Sequence, residues 1–508
     1  MLKVKTIDID FGAVEVVLNH NDALEFGLNP HDRIRVKGKC GSVVAIVNTS
    51  ESLVGEGEIG VFTEIAKKIC VRNGHKIDYE RVGKPESLGA IKKKLNGGKL
   101  SPEEIASIVR DIVSKRITLV EMSAFVSGLQ AVGMDLDEAE YLTKEMVASG
   151  KTINFEAETF DKHSLGGVPG DKTTLIVVPI VAAAGLLIPK TSSRSITSPA
   201  GTADRMEVFA PVEHGINSIK KIVNKTNACM VWGGAVDLSP ADDALIRVEH
   251  PLSLDPRPLL LASIMSKKKS VGSNFVVIDM PTGEGAKIKD KKQARDLARD
   301  LIEIGKRLDM TVECAVTYGA QPVGDAMGPA LEAREALSTL EGNGTPSVVE
   351  KATAIAGIIL EAGGVVGKGK GAEKALEILE SGKALKKFRE IIKAQGGNSD
   401  VCVEDIEKLL GKKKKIIKSL RAGYVTKINN KAIGNVAKTA GAPHDKGAGV
   451  LLHAKGGTRV KKGDALYTIY AEEDFKLKDA EELALKTKPV LVEGMLLEDI
   501  PPTFLGRH

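Results

Sequence analysis

Short apolar runs alternate with helix-like segments between residues 155 and about 340, and this alternation limits the possible folds more than any other feature. Four runs, FDKHS, IPKTS, ACMVWGG and FVVIDM, have the length and composition of strands. Each is followed by glycine or polar residues and then by a helix-like segment. This pattern predicts an α/β domain with a mainly parallel sheet. Ligands of such sheets bind at the carboxyl ends of the strands, so the loops after these runs are the first candidates for a site.

The rest of the chain divides into three further predicted domains. Residues 1–84 alternate as strands do and predict an N-terminal β-rich domain. Residues 85–160 predict a helical domain, completed by a later segment. Its first helix starts at Ser101, with Pro102 in the first turn and Glu104 three positions after the cap, and runs through IVRDIVSKRITLVEMSAFVSGL; a second covers DLDEAEYLTKEMVASG. Residues 161–420 form the α/β domain, and residues 421–508 a β-rich C-terminal domain of α+β class.

Composition excludes several classes of protein. The 508 residues are 43% hydrophobic and 27% charged, as in an average globular protein. A single Trp, 4% aromatic residues and a net charge of +5 argue against nucleic-acid binding. The densest basic run, Lys412 to Lys415, is interpreted as the solvated end of a helix.

Cysteine spacing and hydropathy predict the compartment. The five cysteines are scattered without CxxC spacing, which argues against a disulfide framework or a structural zinc site. The sequence opens without a signal peptide pattern and contains no apolar run of about 18 residues. We therefore expect a cytoplasmic protein without a membrane partner.

The first candidate loop, KHSLGGVPGDKTT at residues 162–174, nearly matches a nucleotide-binding P-loop. A P-loop has glycine directly before its Lys-Thr or Lys-Ser pair, whereas Asp171 stands there in this chain. Glycines let backbone N–H groups approach an anion, and Thr173 and Thr174 begin the next helix, whose first turn favours phosphate. Lys162 and Ser164 add a charge and a hydroxyl. The loop predicts a phosphate site, and a plain strand-to-helix turn is the alternative.

The second candidate, TSSRSITSPAGTADRMEVF at residues 191–209, places many hydroxyl groups around Arg194 directly after a strand. The alternative is a solvated Ser/Thr loop.

The third candidate, RVEHPLSLDPRPLLLASIMSKK, places Asp255 ahead of an apolar helix. Ser263 and Lys267 are four residues apart and so share one face of that helix. Asp255 could also be only a helix cap.

Two further glycine loops carry lysines. The fourth candidate, DMPTGEGAKIKD, includes the end of the strand FVVIDM and contains Lys287, although by itself it is best interpreted as a surface turn. GGVVGKGKG at residues 363–371 also imitates a P-loop, but Gly369 stands where Ser or Thr is required. We interpret it as a loop between two helices.

Together, the four candidate stretches resemble the thymidine and pyrimidine-nucleoside phosphorylase family. Lys162-His163-Ser164 with Gly166-Gly167-Val168 resembles its phosphate-loop motif, and the segment from Ser193-Arg194 to Glu207 resembles its signature. Arg247, Ser263 and Lys267 resemble its base-contacting set. The likeness runs in order from about residue 90 to the C-terminal domain. It implies a small helical domain and a larger α/β domain that close on substrate, usually in a dimer.

Departures from the thymidine-type pattern resemble the archaeal-type AMP phosphorylases. They include the extra N-terminal domain, the additional Pro169, Ser195 after the signature arginine, the run Thr197 to Ala200, and Lys287. This resemblance implies phosphorolysis of a nucleoside 5′-monophosphate (AMP, with CMP and UMP as further candidates) to free base and ribose 1,5-bisphosphate in nucleotide salvage or degradation. Inorganic phosphate is then a co-substrate, with no other cofactor and no metal. A homodimer or larger homo-oligomer is expected.

The resemblance also implies roles for individual residues. Asp255 is expected to be the general acid that protonates the leaving base. Phosphate is expected to contact Lys162, Ser164, Thr174 and Ser192. The base-contacting candidates are His163, Arg247 and Lys267. AMP is expected to contact Gly167, Ser193, Arg194, Ser195, Ile196, Thr197, Ser198, Thr202, Ser263 and Lys287.

Three other functions remain open at this point. The nearest alternative is a thymidine or pyrimidine-nucleoside phosphorylase. A phosphoribosyltransferase would need magnesium and a pyrophosphate-bearing sugar, and no acidic metal cluster is evident in the sequence. The N-terminal β domain also allows a scaffold or nucleic-acid-binding protein, although we favour an assembly role for that domain.

Overall fold

A computed structural model describes residues 1–9, 14–195 and 198–499 of the chain. It divides into two compact units. The first comprises Met1–Gly150 and Ser239–Ser266, and the second comprises Lys151–Leu238 and Lys267–His508. The four domains expected from the sequence are a finer division than these two units, so their boundaries stay a prediction.

The first unit begins with a closed six-stranded barrel in the order β1-β5-β2-β4-β3-β6. β1 pairs in parallel with β5 and β2 with β4, whereas the other pairings are antiparallel. Alternate residues such as Val16, Leu18, Ile34 and Val36 fill its interior. The elements are β1 (Leu2–Ile7), β2 (Glu15–Asn19), α1 (His20–Glu25), β3 (Arg33–Gly38), β4 (Gly41–Ser50), β5 (Glu58–Phe62), α2 (Thr63–Lys68) and β6 (Lys76–Val82).

A disulfide joins Cys40 to Cys70 in this barrel, with the two Cα atoms 5.4 Å apart. The cysteine spacing argued against a disulfide framework, and for this pair that expectation is wrong. Cys40 lies in the turn between β3 and β4, and Cys70 follows α2. The closure of the barrel brings the two together, whereas the spacing of cysteines along the chain gives no signal for it.

Helices form the rest of the first unit. One helix was predicted through residues 108–129, and this is wrong: the stretch forms α4 and α5. Lys115 adopts φ +56°, and Thr118 forms a capping box with Glu121 that starts α5. The predicted capping box of Ser101 and Glu104 is present. The helices are α3 (Ser87–Leu95), α4 (Pro102–Val113), α5 (Leu119–Val132), α6 (Leu136–Ala148) and α10 (Pro240–Leu252), followed by the start of α11 (Arg257–Ser270).

A buried ion pair fixes the barrel to these helices. Arg33 on β3 is 4% exposed. Its guanidinium lies 2.5 Å from the Glu121 carboxylate and donates to the Arg116 carbonyl oxygen at 2.9 Å. Since Glu121 also closes the capping box of α5, one carboxylate serves both the helix and the contact with the barrel.

The second unit contains the parallel sheet that the alternation predicted. β11, β10 and β7 pair in parallel, as do β8 and β9, and a parallel bridge between Thr159 and Leu187 places β8 beside β7. The strands are β7 (Phe160–Ser164), β8 (Ile188–Ser192), β9 (Ala228–Trp232), β10 (Phe275–Thr282) and β11 (Thr311–Tyr318).

Helices surround this sheet and share its core. α7 is apolar on every side because it is fully buried, which accounts for the most apolar stretch of the sequence. The helices are α7 (Thr174–Ala183), α8 (Thr202–Met206), α9 (Ile216–Thr226), α12 (Lys291–Arg307), α13 (Pro329–Leu340), α14 (Pro346–Ala362), α15 (Gly371–Glu380), α16 (Lys383–Ala394) and α17 (Val403–Glu407).

The C-terminal part of the second unit has two antiparallel sheets, β12-β15-β17-β13 and β16-β14-β18. The prediction that Lys412 to Lys415 end a helix is wrong, because Lys413 to Lys415 form the first half of strand β13. β13 pairs with β17 at the edge of its sheet and is almost wholly exposed, and lysines are typical of such edge strands. The elements are β12 (Ala326–Met327), β13 (Lys413–Lys418), β14 (Gly423–Ile428), α18 (Asn430–Thr439), β15 (Gly449–Leu452), β16 (Arg459–Val460), β17 (Ala465–Ala471), α19 (Asp474–Thr487) and β18 (Val490–Glu493).

None of the helices in the described part of the chain is both long and apolar enough to cross a membrane.

Candidate functional site

Three of the four candidate loops leave the same edge of the parallel sheet. β7 ends at Ser164, β8 at Ser192 and β10 at Thr282, and Ser164 is paired with Asp279 of β10. Because these strands are parallel, their carboxyl ends lie side by side. The expected position of a ligand site is therefore the position at which the loops after residues 164, 192 and 282 meet.

The first loop and the Lys287 loop are in close contact. Gly167 has φ +84°, and a Cβ placed on it would lie 2.7 Å from the backbone nitrogen of Lys287. Both the left-handed backbone and this close approach require glycine. Two residues predicted to contact AMP are thus neighbours, although they are far apart in the sequence.

Lys162 forms the centre of the first loop's polar groups. Its side chain is 1% exposed, and Nζ donates to Thr173 Oγ1 at 3.0 Å and to Thr174 Oγ1 at 3.4 Å. Both threonines lie at the start of α7, where the positive end of the helix dipole favours an anion. A buried ammonium beside two hydroxyls and a helix N-terminus provides the chemistry for holding phosphate.

Asp171, the residue that breaks the P-loop pattern, organises this loop. It accepts hydrogen bonds from Ser164 Oγ at 3.1 Å and from Thr173 Oγ1 at 2.6 Å. Burial alone would raise the pKa of Asp171, but Lys351 and Lys162 hold it well below its ordinary value. Asp171 is therefore a carboxylate that positions two hydroxyls of the loop.

Lys172 occupies the place of the P-loop lysine but has a different role. It is fully buried, and Nζ donates to the carbonyl oxygens of Val323 at 3.0 Å and Ala326 at 3.2 Å and to the carboxylate of Glu335. These bonds attach the loop to α13 and to the segment before it. Lys172 therefore does not have the spatial position of a P-loop lysine, and the ammonium beside Thr173 and Thr174 is that of Lys162. A phosphate-binding role of the loop stays a prediction.

His163 follows Lys162 on β7 and is surrounded by cations. Burial and the neighbouring Lys268, Lys190 and Lys162 ammonium groups hold the pKa of His163 well below its ordinary value. The imidazole is therefore neutral near pH 7 and can accept or donate one hydrogen bond to a base.

A second group of buried charges lies beneath the loops and was missed by the sequence analysis. Asp161 on β7 lies 3.3 Å from Nζ of Lys190 and 2.6 Å from Nζ of Lys268. Burial lowers the pKa of Lys190 to about 7, although Asp161 opposes this shift. The only available signal was a lysine inside an apolar strand, IPK, and another directly after Lys267.

The hydroxyl-rich second loop is held in shape by Asp204. Its carboxylate accepts from the backbone N–H groups of Ser195 at 2.7 Å and Gly201 at 2.8 Å. A Cβ on Gly201 would lie 2.6 Å from the Ser193 carbonyl oxygen, so this position requires glycine.

The remaining residues of this loop are placed as follows. Thr202 is the first residue of α8. Ser192 Oγ donates to the Val231 carbonyl oxygen at 3.3 Å, and Ser198 Oγ donates to that of Ala200 at 3.0 Å. The predicted contacts of Ile196 and Thr197 lie outside the described residues.

Arg194 has partners that the sequence analysis did not foresee. Its guanidinium donates to Glu207 at 2.7 and 3.0 Å and to Glu213 at 3.2 Å, and it lies over the Trp232 ring at 5.0 Å. The hydrogen bonds from Arg194 lower the pKa of Glu207 to about 2, so this pair is fully ionised at neutral pH. A contact between the Arg194 side chain and phosphate stays a prediction, and it would require the guanidinium to exchange carboxylate partners.

The third stretch lies on α10, α11 and the connection between them. Arg247 is exposed on α10, and Asp255 is exposed two residues ahead of α11. Ser263 Oγ donates to Asp242 Oδ2 at 2.9 Å. Arg247, Asp255 and Ser263 belong to the first unit, whereas Lys267, one turn after Ser263 on α11, belongs to the second. Their roles toward substrate stay predictions.

Within the described ranges 1–9, 14–195 and 198–499, the structure contains no group of three or more His, Cys, Asp or Glu side chains arranged to hold a metal ion.

Comparison with known families accounts for most of the chain. Residues 89–150 match the helical bundle domain of a glycosyl transferase family, and residues 156–385 match the a/b domain of that family. Residues 424–490 match the C-terminal domain of pyrimidine nucleoside phosphorylases. These matches agree with the predicted order of a helical, an α/β and a C-terminal domain.

Curated relatives match nearly the whole length. The chain is 49% identical to the AMP phosphorylase of Thermococcus kodakarensis over 500 residues, covering 98% of this chain and 99% of that protein. It is 50% identical over 501 residues to the AMP phosphorylase of Methanocaldococcus jannaschii, with 98% and 99% coverage. It is also 50% identical to AMP phosphorylase 1 of Archaeoglobus fulgidus over 501 residues, with 98% coverage of both.

A solved structure supports the fold alone. The anthranilate phosphoribosyltransferase of Thermus thermophilus has a TM-score of 0.51 at 17% identity, covering 60% of this chain and 99% of that chain. The domain order, the loops at the carboxyl edge of the sheet and the full-length relatives agree, and the chain belongs to the AMP phosphorylase family.

Proposed function

We propose that this chain catalyses the phosphorolysis of AMP to adenine and ribose 1,5-bisphosphate. The observation that carries the proposal is the identity of about one half with AMP phosphorylases over 98% of the chain. The chain contains residues suited to this reaction, including the buried Lys162 beside Thr173 and Thr174. The enzyme is thus a pentosyltransferase that uses inorganic phosphate as its co-substrate.

The first loop suits the attacking phosphate. Breaking the N-glycosidic bond develops positive charge on the sugar, which a phosphate held on the opposite face stabilises and then captures. Holding the two reactants in this geometry can supply several kcal/mol of the barrier. The ammonium of Lys162, the hydroxyls of Ser164 and Thr174 and the start of α7 are the groups we assign to this phosphate, with Ser192 contributed by the neighbouring strand.

Asp255 is the proposed general acid. Adenine is a poor leaving group unless it is protonated, and a positioned acid typically contributes about 10²- to 10⁴-fold in rate. Asp255→Asn should therefore lower kcat by about 10²-fold or more while leaving the KM for AMP within a few-fold. Near-normal turnover of this variant would leave Asp255 as part of the turn before α11.

A second anion site must hold the 5′-phosphate of AMP, and we assign Lys287 to it. Lys287 is exposed in the loop after β10, and its backbone nitrogen lies against Gly167 of the phosphate loop. An ammonium at this place adds a charge-assisted hydrogen bond to a phosphate monoester, which contributes about 1.5–3 kcal/mol. A nucleoside carries no group that could use this charge, so Lys287 favours a nucleotide substrate over thymidine or another nucleoside.

Lys287→Ala tests this assignment directly. The substitution should lower kcat/KM for AMP by about 10- to 150-fold, because about 1.4 kcal/mol corresponds to a factor of ten. Adenosine, which lacks the 5′-phosphate, should be affected little. The measurement is the ratio of kcat/KM for AMP to that for adenosine in both proteins. An unchanged ratio would return Lys287 to the status of a surface-turn residue.

A substrate comparison separates the proposal from its alternatives. The protein should release adenine from AMP only when phosphate is present, and it should cleave thymidine far more slowly. CMP and UMP test how many bases the site accepts. Thymidine cleavage that exceeds AMP cleavage would instead identify a pyrimidine-nucleoside phosphorylase. Demand for pyrophosphate and magnesium would identify a phosphoribosyltransferase, the activity named for the neighbour of similar fold.

The cellular setting belongs to the same proposal. We place the reaction in nucleotide salvage or degradation in the cytoplasm, carried out by a homodimer or larger homo-oligomer. The N-terminal barrel, which is attached to the helices through Arg33 and Glu121, is the proposed assembly element. Sizing the intact chain against a chain that lacks residues 1–84 tests this role, since only loss of assembly in the shortened protein supports it.

A further inference from the structure

Lys351 reaches the phosphate loop from a helix that the sequence analysis assigned no functional role. It lies on α14, its side chain is 8% exposed, and its Nζ lies 3.2 Å from Asp171 Oδ2 and 2.9 Å from Asp279 Oδ2. Lys351 and Asp171 are 180 positions apart in the sequence. The helix thus inserts one ammonium between a carboxylate of the loop and a carboxylate of the sheet.

The two carboxylates control the groups that we assign to phosphate. Asp171 accepts from Ser164 and Thr173, while Asp279 lies 3.8 Å from Nζ of Lys162 and accepts from Thr317 Oγ1 at 2.5 Å. Lys162 and Lys351 balance Asp171 and Asp279, two charges of each sign. Without Lys351, one ammonium would face two buried carboxylates, and an arriving phosphate would meet a net negative site.

We propose that Lys351 is a positioning residue of the phosphate site: it holds Asp171 against Ser164 and Thr173 and neutralises the carboxylates, so that the charge of Lys162 is available to phosphate. This inference rests on the proposed phosphorolysis of AMP. It assigns Lys351 no contact with substrate, because Lys351 acts through Asp171 and Asp279. The expected consequence is a selective effect on phosphate rather than on AMP.

The charged surroundings of Asp171 predict a pH signature. Lys351 on α14, Lys162 on β7 and Arg205 on α8 all act to keep Asp171 ionised, and Asp279 on β10 shares Lys351. Burial alone would lower the pKa of Lys351, but Asp171 and Asp279 raise it, so Lys351 stays charged at neutral pH. Removing Lys351 should raise the pKa of Asp171, and protonation of Asp171 at mildly acidic pH should then remove the repulsion of phosphate.

The test compares Lys351→Met, Lys351→Arg and the double variant Lys351→Met with Asp171→Asn. Lys351→Met should raise the KM for phosphate by about 10- to 100-fold, because phosphate would then meet carboxylates that are no longer neutralised, and leave the KM for AMP within a few-fold. Lys351→Arg should restore much of the phosphate affinity. The double variant should recover part of it, because the excess negative charge is gone. In Lys351→Met the phosphate affinity should also improve as the pH falls, unlike in wild type.

A matched control separates positioning from general destabilisation. Lys94 and Glu138 form a buried pair in the first unit, with Nζ 2.8 Å from the carboxylate and both side chains 3% exposed. Lys94→Met should lower the unfolding temperature without changing the ratio of the two KM values. Calorimetric titration with inorganic phosphate adds a readout that does not depend on turnover.

Each outcome bears on the inference. Equal changes in the KM for phosphate and for AMP, no change in either, or no recovery in the Arg and double variants would overturn it. If Lys351→Met does not fold, Lys351→Arg and the double variant decide: near-wild-type phosphate binding in the double variant supports charge balance, and complete loss contradicts it. If the wild-type protein binds phosphate but does not cleave AMP, the proposed function is refuted. The calorimetric titration of the Lys351 variants with phosphate then still decides the role of Lys351.

Discussion

Two glycine loops of this chain imitate a P-loop, yet the structure gives them opposite surroundings. The loop at residues 162–174 follows a strand of the parallel sheet and contains the buried Lys162. The loop at residues 363–371 joins α14 to α15, as predicted, and its Lys368 and Lys370 are exposed. Glycine and lysine content therefore does not by itself distinguish a candidate phosphate loop from a loop that only connects two helices.

The second loop already binds an anion of the protein itself, the carboxylate of Glu361 near the end of α14. The carboxylate of Glu361 accepts a hydrogen bond from the backbone N–H of Gly371 at 2.8 Å. Backbone hydrogen bonds from Gly371 and Gly369 lower the pKa of Glu361. In the first loop, by contrast, the carboxylate of Asp171 is matched by Lys351 and leaves the ammonium of Lys162 beside the start of α7. We therefore expect the first loop, and not the second, to accept an external anion.

The largest expected difference between the loops is in phosphate affinity. Lys162→Ala should raise the KM for phosphate by about 10- to 150-fold, the equivalent of one charge-assisted hydrogen bond, with a much smaller change for AMP. Lys370→Ala is the matched substitution in the second loop and should change neither value. Steady-state kinetics with each substrate varied in turn measures both. Equal effects on phosphate and AMP would remove the role assigned to Lys162.

A smaller difference is expected from a pair of glycines. Gly167 and Gly369 both have φ +84°, so alanine at either position should cost about 1 kcal/mol of stability. Only Gly167 has a neighbour, the Lys287 nitrogen 2.7 Å from the added Cβ, whereas nothing lies within 4 Å at Gly369. Gly167→Ala should therefore also weaken AMP binding by moving the Lys287 loop. Urea unfolding and the KM for AMP test this, and equal KM values in the two variants would contradict the contact.

The smallest expected effect concerns Glu361. A lowered pKa means that the carboxylate stabilises the fold above its ordinary value of 4.5 and that this stabilisation is lost as the pH falls through the lowered value. Glu361→Gln should destabilise the protein by less than about 1 kcal/mol at pH 7, because the site is partly solvated. The difference from wild type should disappear in acid, and kinetics should not change. Unfolding curves at several pH values would show this, and a constant difference would point to packing instead.

Local patterns predicted the parts of this molecule that depend on local chemistry. The strands predicted from FDKHS, IPKTS and ACMVWGG and the capping box at Ser101 were all found, although the last strand ends at Trp232, before the two glycines. Strand composition and capping are properties of neighbouring residues. The break at Lys115 was missed, since the apolar spacing continues across it. The lysine run at residues 412–415 was misassigned because an exposed edge strand and a solvated helix end share the same composition.

Long-range pairs could not be predicted from local patterns. The bond between Cys40 and Cys70 depends on closure of the barrel, and the contact of Lys351 with Asp171 joins residues from distant elements. Lys172 stands where a P-loop has its lysine, but the fold pairs it with Glu335, a residue of the distant helix α13. Local patterns therefore indicated the candidate loops, whereas the partners of their charged side chains became evident only from the fold.

In the proposed reaction, phosphate held by the loop at residues 162–174 attacks the sugar of AMP. The most direct measurement is to supply AMP with phosphate in which every oxygen is ¹⁸O and to analyse the pentose product by mass spectrometry. We expect adenine and ribose 1,5-bisphosphate with the full set of heavy oxygens on one phosphate, and formation of this product in Lys162→Ala only at much higher phosphate concentrations. Adenine release without phosphate, or a pentose product without the label, would contradict it.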